Sequence, residues 1–124
     1  MGEEELDPGE TMQHKHLQFG SGFQVVLGND HSQAAQMTLE PGSREGGADN
    51  RHRGADQWLY VVAGQGLAVV AGERIDLRAG TLVLIQRGDT HEIRNTGRGP
   101  LRTLNVYVPP AYTDAENERP AGRS

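Results

Sequence analysis

With no cysteine in the chain, thiol chemistry and disulfides are excluded, and the five histidines become the residues to follow. His91 has the most informative setting. Leu82 to Ile85 is a short apolar run between Gly80 and the turn-like Gln86-Arg87-Gly88-Asp89, which predicts a buried strand entering a reversal. Gly88 suits that reversal because glycine adopts positive φ without steric cost. His91, Ile93 and Asn95 then alternate with Glu92 and Arg94, so a strand would place the first three on one face and the two charges on the other. A histidine sharing an inward face with an isoleucine is either a satisfied core residue or a ligand.

The other histidines have different surroundings. His52 lies in Asn50-Arg51-His52-Arg53, inside a Gly-, Arg- and Asp-rich stretch from Pro41 to Gly54 that reads as a long loop. Arg44, Arg51 and Arg53 make this stretch locally basic. His14 and His16 would share a face if extended. That is an accessory metal pair or, more simply, a solvated edge strand, because nothing nearby completes a ligand set. His31 falls in a turn and is expected to be solvated.

Positioning these residues requires a β scaffold. The 17 glycines point to many turns, and the 35% hydrophobic content to a lean core in a single domain. Strands are expected at Phe23 to Leu27, Gln33 to Leu39, Gln57 to Val62, Leu67 to Val70, Glu73 to Leu77, Leu82 to Ile85, through His91, and at Leu101 to Val108, where Pro109-Pro110 stops the last strand. Many short strands separated by turns imply a sandwich or barrel. Residues 1–19 read as an N-terminal arm, 20–108 as the barrel and 109–124 as a polar tail. Trp58 and Tyr60 alternate to the face opposite Gln57 and are expected to pack against a second sheet or a partner. Tyr107 is expected in the core or an interface, and Asn95 to stabilise its turn by hydrogen bonds.

The net charge of -5 argues against a nucleic-acid partner. No apolar run approaches the ~20 residues that cross a membrane, so no membrane partner is expected. The acidic start, Met1-Gly2-Glu3-Glu4-Glu5, does not resemble a signal peptide, and a cytoplasmic location is the expectation.

Gly80, Gly88, His91 and Asn95 fall at the spacing of the second cupin motif, with Gln86 in place of its proline. Asn50, His52, Gln57 and Gly64 hold the places of the first motif, where histidine, histidine, glutamate and glycine are usual. Residues 65–79 form the short spacer of small bacterial cupins. The chain therefore resembles the cupin superfamily over roughly residues 20–108. The resemblance implies an all-β, double-stranded β-helix (jelly-roll) barrel, often a homodimer, with a small-molecule ligand inside. It also implies a divalent transition metal (Fe, Mn, Ni, Zn or Cu), with His52 and His91 as ligands and Gln57 and Asn50 at the remaining ligand positions.

That set is neutral, whereas three histidines and a glutamate would offer one negative charge. Amide oxygens are weaker donors, so charge balance would fall to Asp49, Asp56 or a bound anion. Three functional readings follow. One is a metal-dependent oxygenase or isomerase acting on a small polar molecule. Another is a metal-free cupin binding a sugar-like ligand, with His52 and His91 as hydrogen-bonding or acid–base groups. The last is a non-catalytic barrel subunit.

Overall fold

The computed structural model describes residues 12–51 and 54–112, with backbone alone for 47–51. Nine strands follow in chain order: β1 (Gly22–Gly28), β2 (Gln33–Leu39), β3 (Arg44–Arg51), β4 (Asp56–Ala63), β5 (Gln65–Val70), β6 (Glu73–Arg78), β7 (Leu82–Ile85), β8 (Thr90–Asn95) and β9 (Leu101–Val108). They form a five-stranded sheet, β1-β2-β9-β4-β7, and a four-stranded sheet, β3-β8-β5-β6. Every pairing is antiparallel. This is an all-β jelly roll. Among the described residues no helix is long and apolar enough to cross a membrane.

The core lies between the sheets and follows from alternation. On β4, Gln57, Leu59 and Val61 are buried, while Trp58, Tyr60 and Val62 face out. On β9, Leu101, Thr103, Asn105 and Tyr107 are buried. Met37, Leu39, Leu59, Val61, Ala68, Val70, Leu77, Val83, Ile85, Ile93 and Leu101 form one apolar cluster that both sheets supply.

The strand expectations for Gln33 to Leu39, Leu82 to Ile85 and Leu101 to Val108 agree with β2, β7 and β9 at both ends. Three expectations need correction. The stretch Pro41 to Gly54 is not one long loop, because Arg44–Arg51 is strand β3. It contains no β-branched or aromatic residue. Its pairing with β8 supplies the extended state that its own propensity does not. The run Leu82 to Ile85 is buried on one face only, with Leu82 and Leu84 exposed. His14 to Leu17 is not an edge strand; the segment around it has no regular pairing, although Gln13 anchors it to the Gly28 backbone.

Candidate functional site

One row of inward side chains crosses the larger sheet: Ile85 on β7, Gln57 on β4, Tyr107 on β9 and Gln33 on β2, each adjacent pair in register. All four are buried. The two glutamines differ sharply in their partners. Gln33 Oε1 accepts from the backbone N–H groups of Ala111 (3.2 Å) and Tyr112 (3.0 Å), and its Nε2 donates to the Tyr112 carbonyl (2.9 Å). It clamps the chain after β9 against the sheet. Gln57 Oε1 is buried and has no hydrogen-bond partner among the described residues. Leaving a buried acceptor unsatisfied costs roughly 1–3 kcal/mol, so this oxygen is suited to a ligand.

His91 faces the barrel from the opposite sheet, 4% exposed, between Gly47 on β3 and Val70 on β5. Its neighbours on the same face, Ile93 and Asn95, are buried as the alternation predicted. At this end of the barrel Arg51 pairs with Thr90, the residue before His91. The backbone of β3 thus ends beside His91, one residue short of His52. His52 itself and Arg53 lie outside the described residues, as do the side chains of Asp49, Asn50 and Arg51. Among the described residues no three histidine, aspartate or glutamate side chains come together.

Asp56 does not supply charge to the interior. It precedes Gln57 and turns outward to Arg87, accepting from the Arg87 backbone N–H at 2.8 Å and from its Nε at 3.4 Å. The backbone hydrogen bond, reinforced by the guanidinium, holds its carboxyl below the usual aspartate value. Arg44 is likewise committed elsewhere, to Glu92 at 3.2 Å. His31 is exposed in its turn.

Asn95 has the structural role expected of it. Its Nδ2 donates to the carbonyls of Leu39 (2.7 Å) and Gly99 (2.8 Å), and its Oδ1 accepts from the Gly97 N–H (2.8 Å).

Two interior groups were not picked out from sequence. Asn105 and Thr103, both fully enclosed, hydrogen-bond to each other at 3.1 Å on β9. Tyr107 lies edge-on to Tyr112, with ring centroids 5.2 Å apart, and burial followed by the nearness of Tyr112 pushes its phenol well above the ordinary value. Glu45 is the charged neighbour that Tyr107 feels from β3, where it pairs with inward-facing Ile93. The signal for Glu45 was its alternation with Arg44, hidden while the segment was read as a loop. The arrangement is a polar end to the barrel, with an imidazole on one wall and an amide, a phenol and a second amide on the other, and with Asn105 and Thr103 continuing the polar groups deeper along β9.

Comparison with known proteins agrees with this architecture. The cupin domain model matches residues 35–107, more than half of the chain. An oxalate-binding protein of Thermotoga maritima is 32% identical over 74 residues, which make up 60% of this chain and 60% of that protein. The match thus spans less than two thirds of the relative. Among solved structures, one from Bacillus halodurans superposes with a TM-score of 0.68 at 27% identity, over 78% of this chain and 79% of that one. The structure of a predicted oxalate decarboxylase from Thermotoga maritima superposes with a TM-score of 0.57 at 32% identity, over 61% and 64%. Sequence motifs, jelly-roll topology and family match agree, and the chain belongs to the cupin family.

Proposed function

We propose that this cupin binds a small dicarboxylate anion of the oxalate type at a divalent transition metal held by His52 and His91, with Gln57, and Asn50 beside His52, as neutral oxygen donors. The observation that carries the reading is the buried Gln57 Oε1, which lacks a hydrogen-bond partner among the described residues. A carbonyl oxygen turned into a barrel is a legitimate donor to a hard or borderline cation. The end of β3 beside His91 supports the place of His52 in the set.

Charge supports the ligand class. Two imidazoles and two amides leave both charges of the cation uncompensated, and Asp56 is engaged with Arg87. A small dianion restores neutrality inside a low-dielectric barrel and can occupy two adjacent coordination positions. The oxalate-binding relative supports the same class of ligand. The metal would supply Lewis-acid character; the chain's own residues hold it and shape the space beside it. The proposal is one of binding. Turnover of the oxygenase or isomerase kind is a separate property, read by product analysis of the metal-loaded protein.

The test is elemental analysis of protein purified without an affinity tag, followed by calorimetric titration with oxalate before and after metal removal. Near one equivalent of metal per chain and metal-dependent oxalate binding are expected. His52→Ala and His91→Ala should each abolish both while leaving the thermal transition cooperative. No metal bound, with none taken up on dialysis, would sink the reading.

A further inference from the structure

The outer face of the smaller sheet sets two arginines side by side. Arg44 on β3 and Arg94 on β8 are partners in register, on the face opposite to buried Ile93. Like charges directly across a strand pair repel each other. Glu92, two residues back along β8 and buried, holds them together. Its Oε2 accepts from Arg44 Nη1 at 3.2 Å, and its Oε1 accepts from Arg94 Nη2 at 2.9 Å and Nε at 3.2 Å. The Arg94 hydrogen bond also holds this carboxyl below its ordinary value, so it stays ionised. One carboxylate shared by two guanidiniums leaves one positive charge over.

That surplus faces a cleft. Gly42, Ser43, Arg44, Arg94, Asn95 and Thr96 line an open space of about 360 Å³. Asn95 and Ser43 donate to backbone carbonyls and only shape it. Arg44 Nε and Nη2, Arg94 Nη1 and the Thr96 hydroxyl have no hydrogen-bond partner among the described residues. Nearby carboxylates do not quench the charge. Asp76 lies in the same cross-strand row but beyond Leu67, two strand spacings or about 10 Å from Arg94. Glu40 is exposed and pairs with neither arginine.

We propose that this cleft binds a phosphoryl group, as inorganic phosphate or as a phosphomonoester. Guanidiniums from two strands and a hydroxyl just past the end of β8 offer donors from three separate positions. A tetrahedral oxyanion presents oxygens in as many directions, whereas a planar carboxylate presents two in one plane. Glu92 is the positioning residue, because it fixes one edge of each guanidinium and leaves the others for the ligand. The site lies on the outside of the barrel, across the sheet from His91, and does not rest on the proposed metal or dicarboxylate.

The test is calorimetric titration with inorganic phosphate, glycerol phosphate and acetate, in the presence of a chelator. Millimolar or tighter binding of a phosphoryl probe is expected, with acetate at least roughly ten-fold weaker. Arg44→Ala and Arg94→Ala should each weaken phosphate roughly ten-fold or more, the loss of one charge-assisted contact. Thr96→Val, at an exposed position, should weaken it less while leaving the fold intact by far-UV circular dichroism. Arg74→Ala, on the same face but outside the cleft, and His91→Ala, inside the barrel, should leave it unchanged. Tighter binding of glycerol phosphate than of phosphate would identify an ester as the ligand; the reverse would identify the free ion. No binding of either phosphoryl probe would overturn the proposal. So would acetate binding as well as phosphate, or Arg74→Ala weakening phosphate as much as Arg94→Ala, since either would reduce the site to diffuse attraction.

Discussion

Asn95 and Leu39 lie 56 residues apart in the chain, and the Asn95 side-chain amide donates to the Leu39 carbonyl at 2.7 Å. Leu39 ends β2 in one sheet and Asn95 ends β8 in the other, so this bond clips the two sheets together at one end of the barrel. With its contacts to Gly99 and Gly97, the same side chain satisfies three backbone groups. Asn95→Ala should cost roughly 2–4 kcal/mol, because it strands buried polar groups as well as opening a void. Urea unfolding measures it. A loss under half a kilocalorie, roughly the level of a neutral surface change, would mean that water replaces the clip.

Gln57→Glu should act in opposite directions with and without metal. Between buried Ile85 and Tyr107, an added carboxylate is poorly solvated, so the metal-free variant should be less stable than wild type. With a cation beside it the charge is compensated, and metal affinity should rise roughly ten-fold or more. Oxalate affinity should fall, because the site then carries one positive charge fewer. Thermal melts and metal titrations read both effects. Equal metal affinity in the two proteins would remove Gln57 from the ligand set.

Glu92 and Asp56 tie stability to pH. The hydrogen bond from Arg94, with the charges of Arg94 and Arg44, holds the Glu92 carboxyl below its ordinary value against an opposing effect of burial. Asp56 is lowered in the same way by Arg87. Both groups protonate less readily folded than unfolded. Their contributions are therefore complete above the ordinary carboxylate pKa and are lost as pH falls through the folded value, from roughly pH 5 downward. Melting temperature should drop over that range, and Glu92→Gln should flatten the drop. Added salt should weaken the Asp56–Arg87 pair most, since it is the more exposed to solvent.

Gly64 separates β4 from β5 at φ +97°, and a Cβ there would meet the Pro100 carbonyl oxygen at 2.5 Å and Leu101 Cα at 2.8 Å. Both neighbours are backbone and cannot rotate away. Gly64→Ala should cost about 2–4 kcal/mol. Chemical denaturation is the check; a cost below 1 kcal/mol, roughly that of relieved glycine entropy alone, would show that the turn relaxes.

Much of this architecture was legible because the informative residues repeat at the strand period. Alternation put His91 on one face with Ile93 and Asn95 and set Trp58 opposite Gln57, the motif position of Gln57 told which of those two faces was inward, and the structure buries all four of the inward set. β3 was missed for a physical reason. Arg-Glu-Gly-Gly-Ala-Asp-Asn-Arg has no intrinsic preference for extension, and its state is set by a distant partner strand, Arg44 pairing with Arg94 fifty residues away. Missing that strand also concealed Glu45 as a neighbour of Tyr107. The engagement of Asp56 with Arg87 was equally hidden, because sequence distance does not disclose which of two carboxylates finds a guanidinium.

The alternation along β4 also divides the strand for an engineer. Positions 57, 59 and 61 address the barrel interior, while 58, 60 and 62 address the outer face. Changes to the barrel interior and changes to the outer face can therefore be written on one eight-residue segment with little cross-talk. A single-residue deletion just ahead of Gln57 would do the reverse. It would turn the tryptophan inward and the glutamine outward, exchanging the two vocabularies along the whole strand.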